Sequence, residues 1–241
     1  MERIYSFPDT AKHYHCFTKD EEIKSHPDYK KAKAGCEEAA FHMVKDLANE
    51  FLLSLKGCFP EGAYYVSPYA QEATGDNAIP LLLSLMSADI LNGISETDIV
   101  QLQRVFHTGA DPMERLLLRP SFEGKVERGA SYILVDDVTS MGGTLAELAN
   151  YIRLNGGTVL GSIVLVNAGR DKSFEPLKKH IKLLEQRYDD KIRQQFGIQT
   201  KALTANEANY LIGFRDFDEI RNRCLKAEKE TYLRLLSKGI K

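Results

Sequence analysis

The segment Ile133-Leu-Val-Asp-Asp-Val-Thr-Ser-Met-Gly-Gly-Thr144 is an apolar run followed by two acidic residues and a turn with two glycines. The run from Ser131 to Val138 is β-prone throughout, as expected of a strand that is buried on both faces of a parallel sheet. From Thr144 to Leu154, apolar residues recur on one helix face, and Gly156 and Gly157 follow. The stretch therefore predicts a strand, a short loop and a helix.

The start of this helix carries a threonine and, three residues later, a glutamate. This spacing of Thr144 and Glu147 predicts a capping box, in which each side chain accepts a hydrogen bond from the other residue's backbone N–H.

Strand and helix signals alternate on both sides of the unit. Apolar periodicity and the positions of glycine and proline predict helices at 37–56 and 77–92 and strands at 63–66, 98–102 and 158–166. Alternation in this order predicts right-handed crossovers and a Rossmann-like α/β core with a mostly parallel sheet. We expect this core to span residues 35–170.

Two flanking regions have a different composition. Residues 1–34 lack sustained periodicity, which predicts an irregular or partly helical extension and a candidate hood over the core. Residues 171–241 predict a helical C-terminal cap, with helices at 175–195, 205–213 and 217–236.

The loop has the features of a phosphate site. A strand-to-helix turn that ends in Gly142 and Gly143 lets backbone N–H groups converge without bulky side chains, and the following helix adds the positive end of its dipole. Thr139, Ser140 and Thr144 add hydroxyl groups. The sequence therefore predicts that this loop holds a phosphate.

Asp136 and Asp137 lie where the strand meets the loop. Because adjacent strand residues point to opposite faces, we expect one carboxylate to face the ligand. Carboxylates beside a phosphate require neutral partners or an intervening cation, and sugar hydroxyls and hydrated Mg²⁺ meet this condition. The expected ligand is a phosphorylated ribose with a metal-bound polyphosphate.

The segment from Val135 to Thr144 resembles the motif with which type I phosphoribosyltransferases bind 5-phosphoribosyl 1-pyrophosphate (PRPP). The resemblance implies that Asp136 and Asp137 are catalytic residues that engage the ribose 2′ and 3′ hydroxyls and act on Mg²⁺ only indirectly, through PRPP and water. It also implies a 5′-phosphate site made by the loop residues Val138, Thr139, Ser140, Met141, Gly142, Gly143 and Thr144.

The resemblance extends upstream. Ser67 and Pro68 lie where the family places its pyrophosphate-binding loop, and residues 101–119 occupy the place of its flexible catalytic loop. Cations in that loop would neutralise the departing pyrophosphate. The candidates are Arg104 and His107, taken as catalytic, Arg115, taken as substrate-binding, and Arg119.

The segment Gly75–Ala78 is distantly similar to the Gly-x-Asn segment of ComF-type phosphoribosyltransferases, and three segments are similar to uncharacterised bacterial phosphoribosyltransferases. They are Ala73–Pro80, His107–Asp111 and Leu203–Leu211. The resemblance implies Mg²⁺-dependent transfer of a 5-phosphoribosyl group from PRPP to an unidentified, nucleobase-like acceptor, with release of pyrophosphate.

Two departures from the family pattern keep alternatives open. Met141 stands where the family most often has threonine, and the usual arginine near Gly75 is missing. They motivate the alternative of a non-catalytic, PRPP-sensing protein that acts as a regulator or as an accessory to nucleic-acid handling. A third alternative is a hydrolase or ligase-like enzyme that acts on another ribose 5-phosphate compound. The plainest alternative is a βα unit whose acidic residues are merely solvated.

Composition and residue spacing argue against several classes of protein. The 241 residues carry a formal net charge of −2, which gives no electrostatic signature of general nucleic-acid or membrane binding. The four cysteines show no C-x-x-C spacing, and His13, His15 and Cys16 lack a matching ligand set, so no zinc site is expected. No apolar run approaches the roughly 20 residues that a membrane span needs. We therefore expect a soluble cytoplasmic protein, with homodimerisation left open.

Overall fold

The computed structural model describes residues 1–68, 77–102, 110–188 and 190–237. Its main sheet has five parallel strands in the spatial order β1-β7-β6-β2-β3. These strands are β1 (Lys12–Phe17), β2 (Tyr64–Val66), β3 (Ile94–Glu96), β6 (Ser131–Thr139) and β7 (Thr158–Asn167). A separate antiparallel pair joins β4 (Val100–Gln101) to β5 (Phe122–Glu123).

The helices cover both faces of the sheet and form the tail. They are α1 (Glu21–Lys24), α2 (Tyr29–Lys33), α3 (Glu37–Ser54), α4 (Ile79–Ile90), α5 (Pro112–Leu117), α6 (Gly143–Leu154), α7 (Lys178–Tyr188), α8 (Lys191–Phe196), α9 (Ala205–Ile212) and α10 (Phe217–Ser237), with a short 3-10 helix at Thr200–Ala202.

The two strand–helix–strand units wind in opposite directions from the middle of the sheet. From β2 the chain passes through α4 to β3 at one edge, whereas from β6 it passes through α6 to β7 on the other side. Their apolar faces pack on opposite faces of the sheet, α4 with α3 and α6 in a second cluster. The strand order therefore reverses between β2 and β6, and such a reversal opens a crevice at the carboxyl ends of these two strands.

Alternation along β6 divides its side chains between the two faces. Ile133 and Val135 join the cluster built with α3 and α4, whereas Tyr132 and Leu134 join the cluster built with α6. All four are fully buried, as the continuous apolar run predicts.

The tail helices enclose a third apolar cluster, which α5 shares through Met113 and Leu116. Helix α5 begins at a capping box formed by Asp111 and Glu114. Within the described residues, no helix is both long and apolar enough to cross a membrane.

The predicted α/β architecture with a parallel sheet is confirmed, but four local predictions are wrong. The extension is not only irregular or helical, because Lys12–Phe17 pair with β7 as an edge strand. In the region 98–102 only Val100–Gln101 form a strand, which lies outside the main sheet, and the strand at Ile94–Glu96 was missed. The helix expected at 175–195 is two helices, α7 and α8. The domain boundaries stay a prediction.

The fourth error is the capping box at Thr144. Helix α6 begins one residue earlier, after Gly142, and has no side-chain cap. Glu147 instead accepts a hydrogen bond from Arg119 at 2.5 Å and lies 3.4 Å from the Nε of Arg3. The Arg119 guanidinium competes successfully for this carboxylate because a charge-assisted hydrogen bond is stronger than one from a neutral backbone N–H, and the nearby charge of Arg3 adds to the attraction.

Candidate functional site

The candidate site lies at the carboxyl end of β6, next to the point where the strand order of the sheet reverses. The loop that leaves β6 forms one wall of a cleft lined by Asp136, Val138 and residues 139–144. Arg115, Arg119 and Pro120 line the facing wall. The sequence-predicted loop residues and Arg115, which are 23 or more positions apart in the chain, are thus brought together.

The loop presents open backbone donors. Gly142 adopts a left-handed conformation with φ of 77°, and α6 starts at the next residue. Among the described residues, no acceptor takes a hydrogen bond from the backbone N–H groups of residues 140–145, whereas the N–H of Ala146 bonds to the Gly142 carbonyl. Unpaired N–H groups at the positive end of a helix dipole form a ready anion site.

The two acidic residues face opposite sides of the sheet. Asp136 lines the cleft, and its Oδ1 accepts a hydrogen bond from the N–H of Asp137 at 2.9 Å. Asp137 points to the other face, where its Oδ2 accepts hydrogen bonds from the Nζ of Lys33 at 2.5 Å and from the Nδ2 of Asn77 at 2.8 Å. The cleft therefore receives one of the two carboxyl groups.

The electrostatic environments of Asp136 and Asp137 also differ, and they shift the two pKa values in opposite directions. Burial and the neighbouring charge of Asp137 raise the pKa of Asp136 well above its ordinary range. Burial also acts to raise the pKa of Asp137, but the Lys33 ammonium and the hydrogen bonds from Lys33 and Asn77 outweigh it and lower that pKa. The pair thus holds one carboxylate that is stabilised by Lys33 and one carboxyl group whose charged form is disfavoured by burial and by its neighbour.

The facing wall contributes positive charge. Arg115 donates from Nε to the carbonyl of Ala110 at 3.1 Å, and burial lowers the pKa of its guanidinium, with a smaller contribution from Arg234. Arg119 forms an ion pair with Glu147 beside the start of α6. Both arginines line the cleft that is also lined by the loop and its open N–H groups.

The other predicted site residues lie elsewhere. Ser67 is buried and Pro68 is partly exposed; both directly follow β2, beside β6, but neither is among the described residues that line the cleft. Arg104 and His107 lie outside the described residues.

A tightly caged metal ion does not fit the described donor set. It contains no group of three or more His, Cys, Asp or Glu residues that could hold a metal ion. Asp137 is engaged by a lysine, so Asp136 is the acidic residue that reaches the cleft. These residues fit Mg²⁺ only where a ligand supplies most of its oxygen atoms, which is how Mg²⁺ commonly binds with phosphates.

Sequence reasoning missed several residues that surround the loop. Lys33 comes from the extension, 104 positions before its partner Asp137, and carries no local signal. Thr204 and Glu207 show a capping-box spacing that is visible in the sequence, but this spacing does not reveal that Thr204 also bonds to the Met141 carbonyl. Arg3 is fully buried and bonds to Glu207 at 2.6 Å.

Comparison with known sequences gives two curated relatives. The chain is 34% identical over 221 residues to Protein TraN of Escherichia coli, an alignment that covers 88% of this chain and 49% of TraN. It is 35% identical over 148 residues to an uncharacterized protein of Haemophilus influenzae, covering 61% of this chain and 32% of that protein. The chain thus spans about half the length of TraN and about a third of the length of the Haemophilus influenzae protein. No family model matches the chain.

Comparison with solved structures gives remote likenesses. An adenine phosphoribosyltransferase is 17% identical, with 53% of this chain and 69% of that chain covered. The AQ2163 protein from Aquifex aeolicus is 12% identical, with coverages of 65% and 86%, and an adenine phosphoribosyltransferase from Leishmania donovani is 12% identical, with coverages of 82% and 79%. The TM-score is 0.36 in each case, so these likenesses carry no argument about what this chain binds.

Proposed function

We propose that the chain binds PRPP in the cleft over the β6–α6 loop and transfers its 5-phosphoribosyl group to an acceptor nitrogen, with release of pyrophosphate. The observation that carries the proposal is the union of open helix N–H groups, the Asp136 carboxyl group and two arginines in one cleft. A phosphate on a sugar is the ligand that uses all three, because the N–H groups and guanidinium groups suit the phosphate and the carboxyl group suits a hydroxyl.

In the proposed complex, the loop residues hold the 5′-phosphate and Asp136 accepts a hydrogen bond from a ribose hydroxyl. Arg115 and Arg119 line the same cleft as the loop, which supports a role at the 5′-phosphate in addition to the one implied for them at pyrophosphate. Lys33, fixed by Asp137, supplies a positive charge on the other side of β6.

The reaction breaks the bond between C1 of the ribose and a pyrophosphate oxygen, which keeps the electron pair, and forms a bond between C1 and the acceptor nitrogen, which loses a proton. When bound with the polyphosphate, Mg²⁺ would neutralise charge on the leaving group. The chain's own contribution is to position the ribose phosphate and stabilise its charge.

Pyrophosphate release tests this function. The protein is incubated with Mg²⁺ and PRPP against a panel of purine, pyrimidine and other nitrogen acceptors, and products are identified by mass spectrometry. We expect release with at least one acceptor in the wild type and its loss in Asp136→Asn. Release that is unchanged in Asp136→Asn would contradict the assignment of the cleft.

A second candidate is a PRPP-binding regulator without catalysis. The engagement of Asp137 by Lys33 and Asn77 favours it, because only one carboxyl group then reaches the sugar. This candidate requires binding of Mg²⁺-PRPP, measured by isothermal titration, without turnover on any acceptor. Product that contains ribose 5-phosphate alone would instead favour hydrolysis.

A further inference from the structure

The C-terminal tail contacts the β6–α6 loop on the side opposite the cleft. Thr204 lies at the start of α9 and donates a hydrogen bond from its Oγ1 to the carbonyl of Met141 at 2.5 Å. Its Cγ2 lies 3.4 Å from the position that a Cβ on Gly142 would take, and the Phe174 ring lies 3.0 Å from the same position. Met141 and Gly142 therefore separate two environments, the tail on one side and the cleft on the other.

The direction of the Met141 carbonyl determines the direction of a donor in the loop. The peptide bond between Met141 and Gly142 is trans, so its C=O and N–H groups point in opposite directions. Because the carbonyl points at Thr204, the N–H of Gly142 points away from the tail, and no described residue accepts a hydrogen bond from it.

Without that contact, little in the loop would fix this peptide. Glycine populates both signs of φ almost equally, so the peptide unit before Gly142 could rotate and turn its carbonyl toward the cleft. A carbonyl oxygen in that place would repel a phosphate, whereas an N–H group attracts it.

Thr204 is itself held by a buried ionic cluster. The N–H of Thr204 donates to Glu207 at 2.8 Å, and the N–H of Glu207 donates back to the Thr204 hydroxyl at 3.2 Å. The same Glu207 oxygen accepts a hydrogen bond from Arg3, and Thr204, Glu207 and Arg3 are at most 2% exposed. These hydrogen bonds fix the orientation of the Thr204 side chain, so it can hold the Met141 carbonyl in one direction.

We propose that Thr204 is a positioning residue of the phosphate site, which holds the Met141–Gly142 peptide with its N–H toward the bound 5′-phosphate, and that Glu207 and Arg3 hold Thr204 in place. This proposal rests on the proposed function, since it assigns a partner to the same loop. The start of helix α9 then supports the proposed 5′-phosphate site, although no side chain of α9 lines the cleft.

The test measures the affinity for ribose 5-phosphate by isothermal titration in four variants. Thr204→Val removes the hydroxyl at nearly constant shape, and Thr204→Ser keeps it. Thr204→Gly also removes the hydroxyl but is tolerated at a helix N-cap, which secures a folded protein if the valine variant fails to fold. Tyr188→Phe is the matched control, because the Tyr188 hydroxyl also bonds to a carbonyl in the tail, that of Phe214 at 2.9 Å, away from the loop.

We expect affinity to fall about tenfold or more in Thr204→Val and Thr204→Gly, the effect of one lost hydrogen bond to a charged ligand. Thr204→Ser and Tyr188→Phe should bind within about twofold of the wild type, since neither loses the Met141 contact. Wild-type affinity in Thr204→Gly, or an equal loss in Tyr188→Phe, would overturn the role of Thr204 alone. A wild-type protein that binds no ribose 5-phosphate would overturn the proposed function, which is a distinct result.

Discussion

Two helices, α6 and α9, begin beside the same loop, and their first turns are built in opposite ways. At the start of α9, Thr204 and Glu207 satisfy each other's backbone N–H groups. At the start of α6, Gly142 provides no side-chain cap, and the N–H groups of the first turn have no acceptor among the described residues. The first arrangement stabilises a helix with its own sequence, whereas the second leaves its donors for something else to bind.

The two helix starts also differ in the charged groups that surround them. Each helix start has a carboxylate near it, but Glu207 at the start of α9 is held by its capping box and by the buried Arg3. The open end of α6 adjoins Asp136 and two arginines across a cleft. The capped start of α9 supports the loop, and the candidate ligand site lies at the uncapped start of α6.

The largest expected effect comes from disturbing the conformation of the loop at Gly142. Gly142→Ala places a Cβ 3.0 Å from the Phe174 ring at a φ of +77°. We expect a loss of about 2–3 kcal/mol in the binding of ribose 5-phosphate. The left-handed conformation costs a non-glycine residue roughly 1–2 kcal/mol and the contact with Phe174 adds to this, so the free loop leaves the conformation that presents its N–H groups, and binding must restore it. Isothermal titration measures the loss.

The control for this variant is Gly62→Ala. Gly62 has a similar φ of +73° and nothing within 4 Å of the added Cβ. It should lose stability by a similar backbone strain and bind ribose 5-phosphate normally. Equal loss of binding in both variants would show that strain, not the position of Gly142, explains the effect.

The second prediction separates the two acidic residues. Asp136→Asn should weaken PRPP binding about tenfold with little change in melting temperature, since Asp136 forms no ion pair among the described residues. Asp137→Asn should cost about 2 kcal/mol of stability, because Lys33 would lose its buried counter-charge. Thermal melts and titrations on both variants distinguish the roles. The assignment fails if Asp136→Asn unfolds the protein and Asp137→Asn does not.

The smallest expected effect concerns the ring packing behind the loop. His13 lies between Phe7 and Phe174, with its ring 4.3 Å from that of Phe174, and burial lowers the pKa of His13 to about 4. The unfolded chain binds a proton near pH 6.5 and the folded one does not, so stability is full above that pH and falls as the pH drops from about 6.5 toward about 4. We expect a loss of about 0.8 kcal/mol between pH 7.5 and pH 6.

Urea unfolding at both pH values measures this loss. His13→Phe keeps an aromatic ring and removes the proton site, so the difference attributable to His13 should disappear. A pH dependence that is identical in His13→Phe would rule out this histidine as its source.

Local parts of the structure were accessible from the sequence, and distant contacts were not. The strand, the glycine turn and helix α6 follow from residues that are neighbours in the chain, and so does the opposite orientation of Asp136 and Asp137. The edge strand β1 depends on pairing with β7, about 150 positions away, and polar residues such as His13 and His15 hid it. Lys33, Arg3 and Thr204 reach the loop's surroundings only through the fold.

The error at Glu147 illustrates the same limit. Its spacing from Thr144 fits a capping box, and a local criterion can offer nothing better. Arg119 and Arg3, which come from distant segments, supply stronger partners for this carboxylate. Tertiary contacts thus removed a cap from α6 and left its first turn open.

The most direct test of the account is a titration of ¹⁵N-labelled protein with ribose 5-phosphate, followed by amide chemical shifts. The account predicts saturable binding, with the largest shifts at the amides of residues 140–145 and smaller ones at Asn206 and Glu207, where α9 is capped. Absence of saturable binding, or shifts at the start of α9 as large as those at the start of α6, would contradict it.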